Sequence, residues 1–78
     1  MHSNDLQHLY LGDILVYVPN LKNDIIKEYH IKSITPELYS CDIVLNENYS
    51  NWTVINRDDL QNYMLLKDAK LKYPQYFI

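Results

Sequence analysis

The sequence predicts a mainly β fold, a small five-stranded barrel, from three observations. Short runs rich in Val, Ile, Leu and Tyr recur along the chain, with Ile14 to Val18 and Leu38 to Leu45 the clearest. Turn-forming residues separate them at Gly12-Asp13, Pro19-Asn20, Pro36-Glu37 and the polar stretch Asn46 to Asn51. Finally, 78 residues leave room for a single domain with one modest core. In so small a body, about five short strands bury one face each only by stacking or by closing into a barrel.

Each element has a local reason. Leu6, Leu9 and Tyr10 are spaced to share one side of a short helical turn begun by Ser3 or Asn4. Gly12, the only glycine, is the place for a positive φ ahead of the first strand. That strand, Asp13 to Val18, alternates Ile14, Val16 and Val18 against Leu15 and Tyr17, so both faces are covered or one meets a partner. Pro19-Asn20 ends it, and a polar loop runs from Asn20 to Asp24. A second strand, Ile25 to Thr35, places Tyr29 and Ile31 on one face with Ile34 out of phase, and a bulge near Lys32 or Ser33 repairs the register.

Pro36-Glu37 turns the chain into Leu38 to Leu45, where Tyr39, Cys41, Ile43 and Leu45 alternate with Ser40, Asp42 and Val44. Asn46 to Asn51 reads as a loop, and Asn51 to Ile55 as a short fourth strand with Trp52 and Val54 facing one way. Asn56 or Asp58 caps a 3₁₀ or short α turn near 57–61. Tyr63 to Leu66 supplies the last strand, Lys67 to Lys72 one or two helical turns, and Tyr73 to Ile78 an apolar tail. The expected core is Ile14, Val16, Val18, Ile31, Ile34, Cys41, Ile43, Trp52, Val54, Leu60 and Leu65.

The order of these pieces resembles small SH3-like barrels over residues 11–66. Leu11-Gly12-Asp13-Ile14-Leu15-Val16 is similar to their frequent opening, Tyr29 to Leu45 to their central hairpin, and Trp52-Thr53-Val54 with Asp58-Asp59-Leu60 to the closing strand and its helical turn. The acidic first loop and the aromatic pair of signalling SH3 domains are missing here. The resemblance therefore implies a barrel, and neither proline-rich peptide binding nor any functional residue carries over.

Composition removes several classes of function. Hydrophobic residues are 47% and charged residues 22% of the chain, as in an ordinary globular domain. A formal charge of −3 is the wrong sign for an extended phosphate-binding site and too small for a protein that imitates nucleic acid. Cys41 stands alone, so neither an internal disulfide nor a cysteine zinc cluster forms, which fits a reducing, cytoplasmic setting. The longest apolar run, Ile14 to Val18, is far short of a membrane span. His2, His8 and His30 are a meagre ligand inventory, and one glycine makes no phosphate cradle, so no metal or other cofactor is expected. Cys41 falls on the apolar phase of its strand, and adjacent Asp58 and Asp59 are placed as helix-start residues rather than as a catalytic pair.

What remains is recognition of another macromolecule. Eight tyrosines, one Trp and one Phe are an unusual supply of amphipathic rings for this length. The candidate partner-binding residues are Tyr29, Tyr39, Tyr49, Trp52, Asp58, Asp59, Tyr73, Tyr76 and Phe77. The expected role is a non-enzymatic protein-binding module. Asn, Ile, Tyr and Lys make up 30 of the 78 residues, which points to an AT-rich genome and to a phage or mobile-element inhibitor of a host defence or replication protein. A small nucleic-acid-binding barrel is the alternative, with Lys22, Lys27 and Lys32 near the stacking rings, although net charge disfavours it. The tail after Pro74 either folds back over the barrel or offers a route to self-association.

Overall fold

The computed structural model describes residues 9–22, 26–45 and 48–77. The helical turn expected near the start, apart from Leu9 and Tyr10, lies outside them, as do His2, His8 and Ile78.

Five antiparallel strands form one sheet. They are β1 (Ile14–Tyr17), β2 (Glu28–Ile34), β3 (Leu38–Leu45), β4 (Asn48–Asn56) and β5 (Tyr63–Leu65), in spatial order β4-β3-β2-β1-β5. The first four make a meander, and β5 returns to pair with β1, leaving β4 and β5 as edges. Among the described residues no ladder joins those edges, so strand pairing does not close the sheet. A 3₁₀ turn over Arg57–Asn62 links β4 to β5, and α1 (Leu66–Lys72) and a last 3₁₀ turn at Pro74–Tyr76 follow. The turn at 57–62 forms without a side-chain cap from Asn56, and Asp58 and Asp59 occupy its first turn.

Local chemistry explains the framework. Gly12 adopts φ 90°, a conformation that side chains with a Cβ resist. It lets the Gly12 N–H reach the Ile31 carbonyl (2.8 Å), while Asp13 accepts the Ile31 N–H (2.9 Å) and its carboxylate accepts the Tyr10 N–H (2.8 Å). The anticipated bulge is present: Ile31 pairs with Cys41 and Ser33 with Ser40, so Lys32 is the extra residue. Pro19 presets the backbone of a 3₁₀ turn, Val18–Asn20, that ends β1.

Two apolar clusters lie on opposite sides of the sheet. The inner one contains Leu9, Leu15, Tyr29, Ile31, Tyr39, Cys41, Ile55 and Leu60, with Tyr17, Ile43, Tyr63 and Leu65 against it. The second contains Val16, Leu21 and Ala69, flanked by Val18, Met64, Leu66, Tyr73 and Phe77. Burying one such aliphatic side chain contributes about 1.5–3 kcal/mol. Leu21 lies in the stretch read as a polar loop, and its burial comes from α1 and the tail.

The phase of β4 differs from the sequence expectation. Ile55 is 2% exposed, whereas Trp52 is 65% and Val54 39% exposed. Pairing decides this: Ile55 lies opposite Tyr39 and Thr53 opposite Cys41, both inward-facing, so Trp52 and Val54 must point out. Ile34 falls in the Tyr39 row but sits at a strand end and stays exposed, and Ile14 is only half-buried. The loop expected from Asn46 to Asn51 also shortens, because β4 begins at Asn48.

Burial governs the ionisable core. It pushes the Cys41 thiol up to about 11, with the Asp42 carboxylate adding to the effect, so the thiol stays protonated near neutrality. Burial likewise pushes Tyr63 up to about 12, helped by Tyr29, Tyr17, Asp59 and Cys41. Tyr29 is raised in the same direction, by burial and then by Tyr17 and Cys41. The Tyr63 ring meets Tyr17 at 5.1 Å and Tyr29 edge-on at 5.4 Å. A buried acid held protonated stabilises the fold fully below its ordinary value, and the contribution is lost as pH rises through the folded value.

Two outcomes are expected. Ile55→Ala should cost about 2–5 kcal/mol in denaturant unfolding and Val54→Ala less than about 0.5 kcal/mol; the reverse order would mean that β4 is turned over. Thermal stability should fall as pH rises from the ordinary Cys and Tyr values of 9.0 and 10.0 towards about 12, and Tyr63→Phe should make that decline shallower.

Candidate functional site

The most unusual surface is the outer face of β2, β3 and β4. On the β1 side of the sheet, α1 and the tail cover this face; over the other three strands Val44 is buried, and Tyr49 and Trp52 on β4 are exposed. Its rows follow from the register. Ile14, His30, Asp42 and Trp52 lie side by side across four strands, and Glu28, Val44 and Tyr49 form the next row.

A second bulge builds the site. Ile43 pairs with Asn51 and Val44 with Tyr49, so Ser50 is the extra residue of β4. In an unbroken strand, residues three apart point to opposite faces. The inserted Ser50 puts Tyr49 and Trp52 on the same one. They are 66% and 65% exposed, with Val54 beside them, and the Tyr49 ring meets the His30 ring edge-on at 5.8 Å.

The charges around these rings are largely paired. The Nε2–H of His30 donates to Glu28 Oε1 at 2.9 Å, and Lys32 Nζ lies 3.5 Å from Asp42 Oδ1. The Lys32 bulge enables that second contact, since it places an ammonium beside the outward Asp42. Exposed pairs of this kind add little stability. Their chemical consequence is that the Lys32 ammonium is offset by Asp42 while Glu28 adds a further carboxylate, so the face attracts phosphate weakly.

The remaining candidates fall elsewhere. Tyr29 (8% exposed) and Tyr39 (2%) are inner-core residues, which corrects their placement among surface anchors. Their strands alternate them with Ile31 and with Cys41, so the apolar phase that buries those residues buries the tyrosines too. Asp58 and Asp59 line a groove with Pro36, Glu37, Asn56 and Arg57. Arg57 is held there by its Nε–H to the Pro36 carbonyl (2.9 Å) and lies 5.2 Å from the Tyr39 ring centre. This groove is at the far end of β4 from Tyr49, about 23 Å away at the rise of an extended strand. Tyr73 and Phe77 fold back onto the second cluster, with Tyr76 37% exposed. Among the described residues no group of three or more His, Cys, Asp or Glu converges to hold a metal ion. No helix among them is long and apolar enough to cross a membrane.

Glu28 and Asp42 are members of this face that sequence reading did not single out; Lys32 was named there beside the nucleic-acid alternative, His30 as a metal ligand weighed and set aside, and Val54 as a core residue. A signal existed. Ser40, Asp42 and Val44 are the polar-phase positions of β3, and whatever lies opposite them on β4 must share their outward direction. Locating those opposites required the Ser50 bulge.

An exposed Trp52 is directly measurable. At high dilution its fluorescence in the native protein should match that of an indole in water and be quenched by acrylamide about as efficiently as in the unfolded chain. Blue-shifted, protected emission would mean that the face is covered.

Comparison of the chain with protein-family models, with curated proteins and with solved structures returned no match.

Proposed function

We propose that this chain is a non-enzymatic protein-binding module built on an SH3-like barrel, and that it binds through the outer face of β2, β3 and β4. The observation that carries the reading is the pair of exposed rings, Tyr49 and Trp52, brought to one face by the Ser50 bulge. Aromatic anchors with Val54 between polar surroundings are the composition of a protein interface centre, where a few rings contribute most of the binding energy. The barrel reading is supported by the strand order β4-β3-β2-β1-β5 and by the 3₁₀ turn ahead of β5.

Protein is favoured over nucleic acid by the electrostatics of the face. Its exposed ammonium, Lys32, is paired with Asp42, and Glu28 adds a further carboxylate. The biological role we assign is inhibition of a host defence or replication protein by a phage or mobile element, acting in the cytoplasm. The AT-rich residue usage and the unpaired, buried Cys41 support that setting.

Capture from a host lysate with an N-terminally tagged chain, with and without nuclease, tests the proposal. A stoichiometric protein that survives nuclease is expected. Tyr49→Ala and Trp52→Ala should each weaken its capture about tenfold or more. Recovery of nucleic acid, or of partners lost on digestion, would overturn the protein-binding reading in favour of a nucleic-acid-binding barrel.

A further inference from the structure

The edge of the sheet formed by β4 presents a chemistry separate from the face beside it. β4 is nine residues long, pairs among the described residues only with β3, and reads Asn-Tyr-Ser-Asn-Trp-Thr-Val-Ile-Asn. Edge strands are usually blunted against pairing by lysine, other charges, proline or a β-bulge. This strand has no charge and no proline, and its bulge, at Ser50, lies in its first half and leaves Asn51 to Asn56 regular. The Trp52 N–H makes its hydrogen bond to Oδ1 of neighbouring Asn51, at 2.8 Å, instead of joining the ladder with β3. In an antiparallel strand the N–H and C=O of one residue point the same way, so Trp52 directs both groups at the free edge.

We infer that β4 pairs antiparallel with β4 of a second copy of this chain, in the register centred on Trp52. Trp52 is the midpoint of the strand, and with Ser50 bulged out the register centred on it sets Asn51 against Thr53 and Tyr49 against Val54, each pair on one side of the sheet. The two Trp52 residues then form a hydrogen-bonded pair, each N–H exchanging its Asn51 side-chain acceptor for the Trp52 carbonyl of the other copy. Their rings lie side by side on the outer face, and the sheet becomes continuous across ten strands.

The electrostatics fit self-pairing better than pairing with an arbitrary strand. A strand paired with its own copy sets like residues against like around the centre, where any charge would repel itself. β4 carries none. The nearest acidic group in its ladder, Asp42, would be separated from its symmetry mate by three strand spacings, about 14 Å, beyond the screening length of about 8 Å at physiological salt. The inference stands apart from the proposed partner, because purified protein alone suffices to test it.

The test is the solution mass of the purified full chain by sedimentation or light scattering over rising concentration. The wild type should approach twice its 9.4 kDa. Trp52→Lys and Trp52→Glu should each keep the wild-type circular dichroism and remain single chains, and their equimolar mixture should recover the doubled mass. In wild type, hydrogen exchange at the Trp52 amide should slow as concentration rises. A wild type that remains a single chain, a dimer that persists in Trp52→Lys, a mixture that fails to recover it, or an amide indifferent to concentration would each overturn the inference.

Discussion

Leu15 and Val16 are neighbours in sequence and both are buried, on opposite faces of one strand. That constraint organises the molecule. A strand apolar on both sides needs two partners in the sheet and a layer on each face, and β1 has all four. β2 and β5 flank it, the curled inner face of the sheet covers Leu15, and α1 with the tail covers Val16. Only seven residues of α1 are available for this, and they reach no farther than the β1 and β5 end. The outer face of β2, β3 and β4 therefore lies beyond the main contacts of α1, with Val44 buried on it and Tyr49 and Trp52 exposed.

Single inserted residues decide what this face presents. The Lys32 bulge keeps Ile31 inward and brings an ammonium beside Asp42. The Ser50 bulge does the same for Tyr49 and Trp52, which alternation would otherwise separate. Both insertions flank β3, the strand with the most regular alternation, so β3 acts as the ruler against which its neighbours are set. Lys32 on this face is paired with Asp42 and Glu28 accepts a hydrogen bond from His30, while the rings are left exposed. An apolar surface with satisfied polar neighbours costs little to desolvate when a protein covers it.

Much of the architecture was legible because it depends on local chemistry. Gly12 alone tolerates its positive φ, Pro36-Glu37 initiates a turn, and the mismatch between Ile31 and Ile34 demands an inserted residue. The limits of β3 and the helical turn after Asn56 follow from the same kind of argument. The burial of Tyr39 was present in the alternation with Cys41 but competed with the habit of counting tyrosine as a surface ring. Leu21 carried no local signal, since its cover comes from residues about 50 positions later in the chain.

The sequence by itself determined the strand menu, the two-faced character of β1 and the supply of aromatic rings. Only the tertiary structure decided which rings are inside. β4 has apolar residues on both phases, Trp52 and Val54 against Ile55, and hydrophobicity cannot rank a Trp-Val face above an isoleucine. Cross-strand pairing can, because Ile55 must follow Tyr39 inward and Trp52 must follow Asp42 outward. The deciding interaction is a backbone register between segments that are distant in sequence, so no local pattern contains it.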